Sequence, residues 1–504
     1  MLALTIAALL CQTQLSDDLL IESLSRASLP LKTVVAGNGF DDMALMAKSL
    51  QGVEVVGMGE PTHGSREVFQ MKHRMFEYLV ENHGFTVFAL ESNMSDTVAL
   101  DRYVLYGEGS VQEAARAQGF WTWSTEEIVD LLEWMRTYNT DPEHLQKLRV
   151  VGIDMQNQAT CTLYFQKICR ILNSDGQAQF WEEMSWDDPT DEQMSEFADI
   201  VSRDLPVVRE KVGEDAARLY ERMVVVYKQA VDNNRIKHFI WARSKALPHL
   251  AETFKSVENL MQGSRNMPDG VEAGLSFLVE HENRRVAEES VDKDSFMKRA
   301  LAIRKYANSQ GDKAQAYTRC AEVLEFLALA QGMSGLNVSA HRDQSMAENL
   351  LWIQDTYLPG AKVMLWAHNY HVSRLLVNDK PMMTGAFLAE SLGEKYFPVG
   401  FSFYEGGFRA VGTDGKLKAW SVPAARKGSI DEAFKRVGYC QFFIDFGQLD
   451  ETGRKWASQL HSTRNYGAVN NEAQADSYWG EITPGQMYAG MIFIAKTKPA
   501  RAID

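Results

Sequence analysis

The sequence lacks the short motifs by which most hydrolases and nucleotide-dependent enzymes are identified. It contains no Gly-x-Ser-x-Gly nucleophile elbow, no His-Glu-x-x-His zinc motif, no P-loop and no glycine-rich dinucleotide fingerprint. These absences weaken the interpretations as a serine hydrolase, a zinc peptidase or a nucleotide-dependent enzyme. A reaction in which a histidine activates water directly stays available.

Cysteine is scarce and widely spaced. The chain has five cysteines in 504 residues, and none forms a Cys-x-x-Cys pair, so neither a zinc ribbon nor a thioredoxin-type site is expected. We expect the last four to be buried as small apolar residues; they are Cys161, Cys169, Cys320 and Cys440.

Positive charge is in deficit. The chain has 52 basic and 67 acidic residues and a net charge of -15, so a polyanion would be repelled over most of its surface. We therefore expect no nucleic-acid partner. Beyond the first residues, no apolar run reaches the ~18 residues of a membrane span, so we expect no integral membrane association.

The first residues are ambiguous. Residues 2–11 (LALTIAALLC) resemble the apolar region of a secretory signal, but a basic start is missing and the cleavage pattern is poor. We treat residues 1–30 as a possible signal segment and lead-in to a domain over residues 31–504. Export and a cytoplasmic location both stay open, with export slightly favoured.

Seven short apolar runs predict buried strands. Long amphipathic helical patterns separate the early ones, and the runs show no polar alternation, which is typical of strands covered on both faces. The order favours an α/β fold with a mixed, largely parallel sheet flanked by helices. The predicted strands are Val53–Gly57, Thr86–Leu90, Arg149–Ile153, Lys362–Trp366, Tyr396–Phe401, Gln441–Asp445 and Gly490–Ile494.

The middle of the chain reads as helical. From about residue 175 to 335 it is rich in Glu, Ala, Arg, Met and Gln, and four prolines divide it: Pro189, Pro206, Pro248 and Pro268. We predict a large helical insertion that forms a cap over the cleft of the sheet domain. The alternative is a solvated helical bundle with no role in binding.

Chemically useful residues follow the first strand. The strand ends in GMGEPTHGSRE, which carries Glu60 and His63. Active sites of open α/β sheets lie at the carboxyl ends of strands, in loops that a rigid scaffold holds. The carboxylate can orient the imidazole and tune its basicity. Alone, such a pair is more often structural than catalytic.

Two later strands end in the same kinds of residues. Glu91 directly follows the second strand, and the fourth strand runs into AHNYHV, which carries His368 and His371. Glu91 could instead favour the dipole of the next helix, and each histidine singly could be a satisfied polar residue. Because three strand ends carry Glu or His, we predict that these residues form one site.

Two cations are candidates for a contact with the substrate or with an oxyanion. Lys72 lies nine residues after His63, about two and a half turns along a helix that begins promptly. Arg342 opens the helix HRDQSMAENLLW. A cation near the site could stabilise a tetrahedral oxyanion, whereas the alternative for each is an ordinary charge or ion pair.

Several segments, taken in order, resemble the erythromycin esterase family. They are GEPTHGSREVFQMKHR, the Glu91 strand end, GFWTWSTEEIVDLLEWMR, VVGIDMQ, RDQSMAENL and WAHNYHV. The matched blocks extend from about residue 50 to residue 375, and GAFLAESLGEKYFPVGFSF and GMIFIAK extend the likeness almost to the last residue.

The resemblance implies a mixed α/β core with a helical subdomain. The antibiotic-resistance members of this family open the lactone ring of macrolides, whereas many other members have no known substrate. The resemblance implies a histidine that activates water without a metal. That base matches His63, and the accompanying carboxylates match Glu60 and Glu91. The later histidines match His368 and His371.

The sequence therefore predicts a hydrolase of a small-molecule ester or lactone, with His63 as the general base and neither metal nor cofactor. The family often has arginine where this chain has Lys72, and a lysine cannot form a bidentate fork, so that contact is not carried over directly. One alternative is a metal-dependent hydrolase that uses the same Glu and His residues as ligands. Another is a non-catalytic protein that binds a hydrophobic ligand.

Overall fold

The computed structural model describes residues 17–172, 184–262, 267–283, 293–331 and 340–503, together with residues 333, 337 and 338. The predicted signal segment over residues 2–11 lies outside the described residues. The chain divides into two compact units. The first takes the described residues of Met1–Glu183, Ser195–Tyr227 and Arg342–Asp504, and the second takes those of Met184–Met194 and Lys228–His341.

A ten-stranded mixed sheet lies at the centre of the first unit. Its order is β1-β10-β14-β8-β2-β5-β3-β4, with β9 and β12 beside β8, and pairs from β14 to β4 are parallel. Two further sheets have two strands each, β6 with β7 and β11 with β13. The strands of all three sheets are β1 Ser28–Pro30, β2 Val55–Met58, β3 Phe85–Asn93, β4 Arg149–Asp154, β5 Lys362–Trp366, β6 Leu376–Val377, β7 Lys380–Pro381, β8 Tyr396–Gly412, β9 Leu417–Val422, β10 Gln441–Asp445, β11 His461–Arg464, β12 Val469–Asn470, β13 Trp479–Ile482 and β14 Gly490–Thr497.

The predicted α/β architecture is confirmed. All seven predicted strands are present in this sheet, and those at Lys362–Trp366 and Gln441–Asp445 have the predicted bounds. β2 is buried at every position, as expected for a strand covered on both faces. Antiparallel pairing occurs at one side of the sheet, where β10 joins β1 and β14, and where β9 joins β8.

Helices account for most of the remaining structure. A helix over residues 17–27 precedes those with labels. The labelled helices are α1 Arg66–His83, α2 Val98–Tyr106, α3 Val111–Arg116, α4 Glu126–Thr140, α5 Gln158–Leu172, α6 Asp191–Val212, α7 Glu214–Ala246, α8 Leu250–Gln262, α9 Asp269–Asn283, α10 Lys293–Ala307, α11 Ala314–Gln331, α12 His341–Trp352, α13 Asn369–Val372, α14 Thr384–Leu392, α15 Ile430–Arg436, α16 Glu451–Ala457 and α17 Pro484–Met487.

The described part of the predicted insertion is mostly helical, from α6 to α11, with short non-helical stretches such as residues 184–190. Its function as a cap stays a prediction. Pro206 does not break the helical pattern as predicted, because it lies inside α6. Pro206 and Ser202, whose carbonyl loses its intrahelical partner, are both exposed, so water can satisfy that carbonyl. Among the described helices, none is long and apolar enough to cross a bilayer.

The cysteine prediction is correct for two residues. Cys161 and Cys320 are buried, whereas Cys169 is half-buried and Cys440 is exposed. Cys440 immediately precedes β10, and its carbonyl accepts a hydrogen bond from the Ala495 amide at 2.8 Å. Its position is therefore fixed by the backbone at the start of a strand rather than by packing of its thiol.

The strand register brings the carboxyl ends of four strands together. Trp366 of β5 is paired with Met58 of β2 on one side and with Leu90 of β3 on the other. Leu90 is in turn paired with Gly152 of β4. The residues that follow these four positions therefore leave the sheet at one edge, although β5 is far from the others in the sequence.

Candidate active site

The loop after β2 is held by close backbone contacts. A Cβ atom on Gly59 would lie 2.3 Å from Oδ1 of Asn369, and one on Gly64 would lie 2.5 Å from the carbonyl oxygen of Arg409. Both glycines therefore allow the loop to approach neighbouring strands. The backbone of Asn369 also donates to the Glu60 carbonyl at 2.9 Å, which joins this loop to the end of β5.

His63 and Glu60 form a hydrogen-bonded dyad in this loop. Nδ1 of His63 lies 2.7 Å from Oε1 of Glu60, and the two side chains are 17% and 0% exposed. A carboxylate accepts hydrogen bonds, so Nδ1 of a neutral His63 carries the proton and Nε2 has the lone pair. This tautomer is the one that can remove a proton from water through Nε2.

Glu60 is kept ionised by partners on its other side. Its Oε2 accepts hydrogen bonds from Nζ of Lys72 at 2.8 Å and from Nε1 of Trp366 at 2.5 Å. Burial alone would raise the pKa of Glu60, but the charge of Lys72 and the hydrogen bond from His63 hold that pKa below its ordinary value. The fixed negative charge then orients the His63 ring.

Lys72 is a wholly buried cation. Its side chain is 0% exposed, and its Nζ lies 4.3 Å from the centroid of the Trp366 ring. Burial lowers the pKa of Lys72 to about 8, although Glu60 opposes that shift. These contacts differ from the substrate contact that we predicted, since they direct the ammonium to Glu60.

A second cation, Arg342, joins two carboxylates at the edge of the sheet. Its Nη2 lies 2.7 Å from Oε1 of Glu91 and 2.7 Å from Oδ2 of Asp154, and its Nε lies 3.2 Å from Oδ1 of Asp154. Burial would raise the pKa of Glu91, but the charges of His371 and Arg342 hold it far below its ordinary value. Glu91 lies within β3, seven positions before Val98, the first residue of α2, so the helix-dipole alternative does not describe it.

His371 forms the second histidine–carboxylate dyad of the cluster. Nδ1 of its ring is 2.6 Å from Oδ1 of Asp343, while Nε2 is 3.0 Å from Nη1 of Arg342 and 3.4 Å from Oε1 of Glu91. A neutral ring accepts from Arg342, and a protonated ring donates to Glu91. Burial opposes protonation, but Glu91 and Asp343 outweigh it and raise the pKa of His371.

His368 is a neutral neighbour of His63. The two ring centroids are 5.0 Å apart. Nε2 of His368 donates to the carbonyl oxygen of Tyr466 at 3.0 Å, and its backbone amide donates to Oε2 of Glu91 at 2.9 Å. Burial and the proximity of His63 lower the pKa of His368 to about 3, so this ring stays uncharged at neutral pH.

The structure brings all seven predicted site residues into one cluster; they are Glu60, His63, Lys72, Glu91, Arg342, His368 and His371. Sequence reasoning missed Asp154, Asp343 and the indole of Trp366. Glu91 was selected because an acidic residue follows an apolar strand. Asp154 stands at the end of β4 in the same way, so the same criterion could have selected it. No comparable signal identified Asp343 or Trp366 as partners of a histidine and a glutamate.

The carboxylates of this cluster have cationic or N–H partners from the protein. Glu60 accepts from Lys72 and Trp366, and Glu91 and Asp154 share Arg342. Within the part of the chain that the structure describes, no group of three or more His, Cys, Asp or Glu side chains has an arrangement that could hold a metal ion.

Comparison with known proteins gives a family. The model of the family described as Erythromycin esterase matches residues 80–497, which is most of the chain. The chain belongs to the erythromycin esterase family. The matched range includes Glu91, Asp154, Arg342 and the two later histidines, whereas His63 and its loop precede it.

The chain is also similar over most of its length to one relative and to two solved structures. "Putative hydrolase YbfO" of Bacillus subtilis is 22% identical over 490 residues, which are 95% of this chain and 91% of the relative. A crystal structure of a Bacillus cereus protein has a TM-score of 0.61 at 22% identity and covers 97% of this chain and 99% of its own. An erythromycin esterase mutant in its open conformation has a TM-score of 0.53 at 15% identity, with 92% and 96% covered.

These likenesses establish the fold, and membership in the erythromycin esterase family indicates a hydrolase. The range matched by the family model and the alignment with the Bacillus subtilis relative both extend across the helical middle of the chain. A small-molecule substrate is what this family membership suggests.

Proposed function

We propose that this protein hydrolyses a carboxylic ester or lactone by means of water that His63 activates as a general base, without a bound metal ion. The observation that carries the proposal is the contact between Nδ1 of His63 and the buried carboxylate of Glu60 at 2.7 Å. This contact leaves the Nε2 lone pair to receive a proton, and the ring is partly exposed. General-base assistance of this kind accelerates a reaction by about 10²–10⁴-fold.

Three steps follow. Nε2 of His63 takes a proton from water, and the hydroxide attacks the ester or lactone carbonyl. The tetrahedral oxyanion forms near Arg342, a partly exposed guanidinium that supplies positive charge. When the C–O bond breaks, the alkoxide receives a proton and the carbonyl carbon keeps the added oxygen as a carboxylic acid. An ester gives an alcohol and an acid, and a lactone gives one hydroxy acid.

His371 is the better candidate for the proton donor than His368. Its pKa is raised, and its ring is 17% exposed, so it can hold a proton and approach the substrate. His368 has a pKa of about 3 and uses its Nε2 proton on the Tyr466 carbonyl. We assign His368 to packing against the His63 ring and Lys72 to the support of Glu60.

The ion pairs of the cluster support a mechanism without a metal. Glu60 is paired with Lys72, and Glu91 is paired with Arg342. A divalent cation at these carboxylates would be repelled by the two protein cations unless they moved away. Only the name of the family suggests a macrolide substrate. Simple esters are equal candidates.

The decisive experiment is mass spectrometry of erythromycin incubated with the purified protein and with His63→Ala. The matched control is His144→Ala, which changes a histidine that stacks on Tyr138 outside the cluster. We expect a product one water heavier with the wild type and the control, and none with His63→Ala.

Unchanged erythromycin would remove the macrolide from the proposal, and the same three proteins would then be assayed with simple esters and lactones. If no ester is hydrolysed, or if His63→Ala retains most of the wild-type rate, the proposed function is wrong.

A further inference from the structure

The segment that follows β14 crosses the start of α1 beside His63. We call Lys498–Arg501 the strap. The carbonyl oxygen of Lys498 accepts from the Arg66 amide at 2.8 Å, and the amide of Ala500 donates to the Gly64 carbonyl at 2.9 Å. Ser65 and Pro499 form an antiparallel bridge between these two contacts. The strap is therefore paired, as a short strand would be, with the residues directly after His63.

The strap is anchored on its other side by α4. The Glu127 carboxylate accepts from the Arg501 amide at 3.0 Å and from Nε of Arg501 at 3.0 Å. The carbonyl oxygen of Arg501 accepts from the Glu126 amide at 3.0 Å. The Glu127 side chain is 1% exposed, so its charge is removed from water and depends on these donors and on Nε of Arg66 at 3.5 Å. The anchor therefore joins a buried carboxylate to a partly exposed arginine.

The strap packs closely against a glycine of β8. A Cβ atom on Gly407 would lie 2.5 Å from Cδ of Pro499, so a side chain there would displace the strap. Two residues further along β8, the Arg409 amide donates to the Gly64 carbonyl at 3.0 Å. The Gly64 carbonyl thus receives one hydrogen bond from the sheet and one from Ala500 of the strap.

We propose that the strap is a positioning element for His63, and that Glu127 is the buried carboxylate with which α4 holds it. This inference rests on the proposed function, because it concerns the placement of that general base. The peptide after His63 is fixed from two sides, and the base must lie within hydrogen-bond distance of the attacking water. A displacement of about 1 Å in such a group can cost about a hundredfold in rate.

Two variants test the strap. Glu127→Gln keeps the shape of the anchor but removes the one buried carboxylate among the three that pair with Arg501, and Ala500→Pro removes the N–H that binds the Gly64 carbonyl. The matched control is Asp130→Asn, since Asp130 lies on the same helix, is 59% exposed and accepts from Nη2 of Arg501 at 3.2 Å. Hydrolysis of the ester found for the wild type gives kcat and KM separately.

We expect kcat to fall about tenfold in both variants with KM within about twofold, because the base moves while the binding surface does not. The Arg66 amide, which the strap protects, should exchange with solvent at least about tenfold faster, and Asp130→Asn should match the wild type. Circular dichroism must show intact folding. If a folded Ala500→Pro variant has faster Arg66 exchange but unchanged kcat, the positioning proposal is overturned.

Amide exchange needs no substrate, so the two proposals fail separately. A wild type without esterase activity overturns the proposed function. Unchanged Arg66 exchange in both variants shows that the strap does not hold the loop, and it overturns this inference whatever the activity is.

Discussion

Nδ1 of His371 lies 2.6 Å from Oδ1 of Asp343, in the same relationship that joins His63 to Glu60 at 2.7 Å. The two dyads differ in what surrounds the carboxylate and the ring. Glu60 is paired with the buried Lys72, whereas Nε2 of His371 faces both Arg342 and Glu91. This difference favours a proton acceptor in the first dyad and a proton donor in the second.

Loss of the Glu60 charge should remove the orientation of the general base. We expect Glu60→Gln to lower kcat by about 10²–10⁴-fold, because an amide can present its NH₂ to Nδ1 and favour the wrong imidazole tautomer. The same change leaves the Lys72 ammonium buried without its counter-ion, which costs about 3–5 kcal/mol of unfolding free energy unless the amine loses its proton. Steady-state kinetics and urea denaturation measure the two effects.

The double variant Glu60→Gln with Lys72→Met separates catalysis from stability. Removal of the unpaired amine should restore most of the lost unfolding free energy, while kcat stays as low as in Glu60→Gln. Recovery of activity in the double variant would show that Glu60 acts only as the partner of Lys72.

Asp343 should control the alkaline side of the pH–rate profile. The charges of Glu91 and Asp343 raise the pKa of His371 against the effect of burial. We expect Asp343→Asn to lower that pKa, so the proposed acid loses its proton at lower pH. The alkaline limb of kcat should move to lower pH while the acidic limb stays in place. A parallel shift of both limbs, or none, would contradict the assignment of His371 as the donor.

The same shift has a defined sign in stability. Because the pKa of His371 is raised in the folded protein, its stabilising contribution is fully present below the ordinary histidine value of about 6.5. It is lost as the pH rises through the folded-state value. Between the ordinary histidine pKa and the raised pKa of His371, the difference in unfolding free energy between the wild type and Asp343→Asn should become smaller with increasing pH.

The sequence was most informative where one buried strand led directly into polar residues. Glu60, Glu91 and His368 were selected because the carboxyl ends of parallel strands share an edge, and the structure has them at that edge. Asp154 satisfies the same condition, so its omission was a failure to apply the rule to β4.

Other contacts were beyond such reasoning. The indole of Trp366 binds Glu60 because β5 lies between β2 and β3, and the order of strands so far apart in a sequence is not set by local pattern. The burial of Lys72 depends on the side of α1 that packs on this sheet, and the helix carries both charged and apolar residues there. Pro206 is a case in which a local pattern predicted wrongly. Proline usually breaks a helix, but Pro206 lies on an exposed turn inside α6.

Dependence on metal can be decided by removal. We expect protein dialysed against a chelator to keep its full esterase activity, because Lys72 and Arg342 already supply positive charge to the carboxylates. Elemental analysis of protein purified without added metal should then show no stoichiometric ion. An ion bound at one per chain, whose removal abolishes activity and whose return restores it, would establish the metal-dependent alternative with the same Glu and His residues.

Arg342 should contribute to stability far more than an exposed arginine does. Its guanidinium links Glu91 and Asp154, whose side chains are 9% and 0% exposed, so Arg342→Met leaves two carboxylates with little access to water. We expect a loss of about 3–5 kcal/mol of unfolding free energy by urea denaturation at neutral pH.

The matched control for this variant is Arg102→Met. Arg102 pairs with Glu108 at the surface, where the two side chains are 45% and 48% exposed, so the expected loss is below about 1 kcal/mol. The charge of Arg342 helps to hold the pKa of Glu91 down, so without it Glu91 takes up a proton more readily. The deficit of Arg342→Met should therefore shrink at acidic pH while that of Arg102→Met stays small. Equal losses in the two variants, independent of pH, would mean that Arg342 does not carry the charge balance of the cluster.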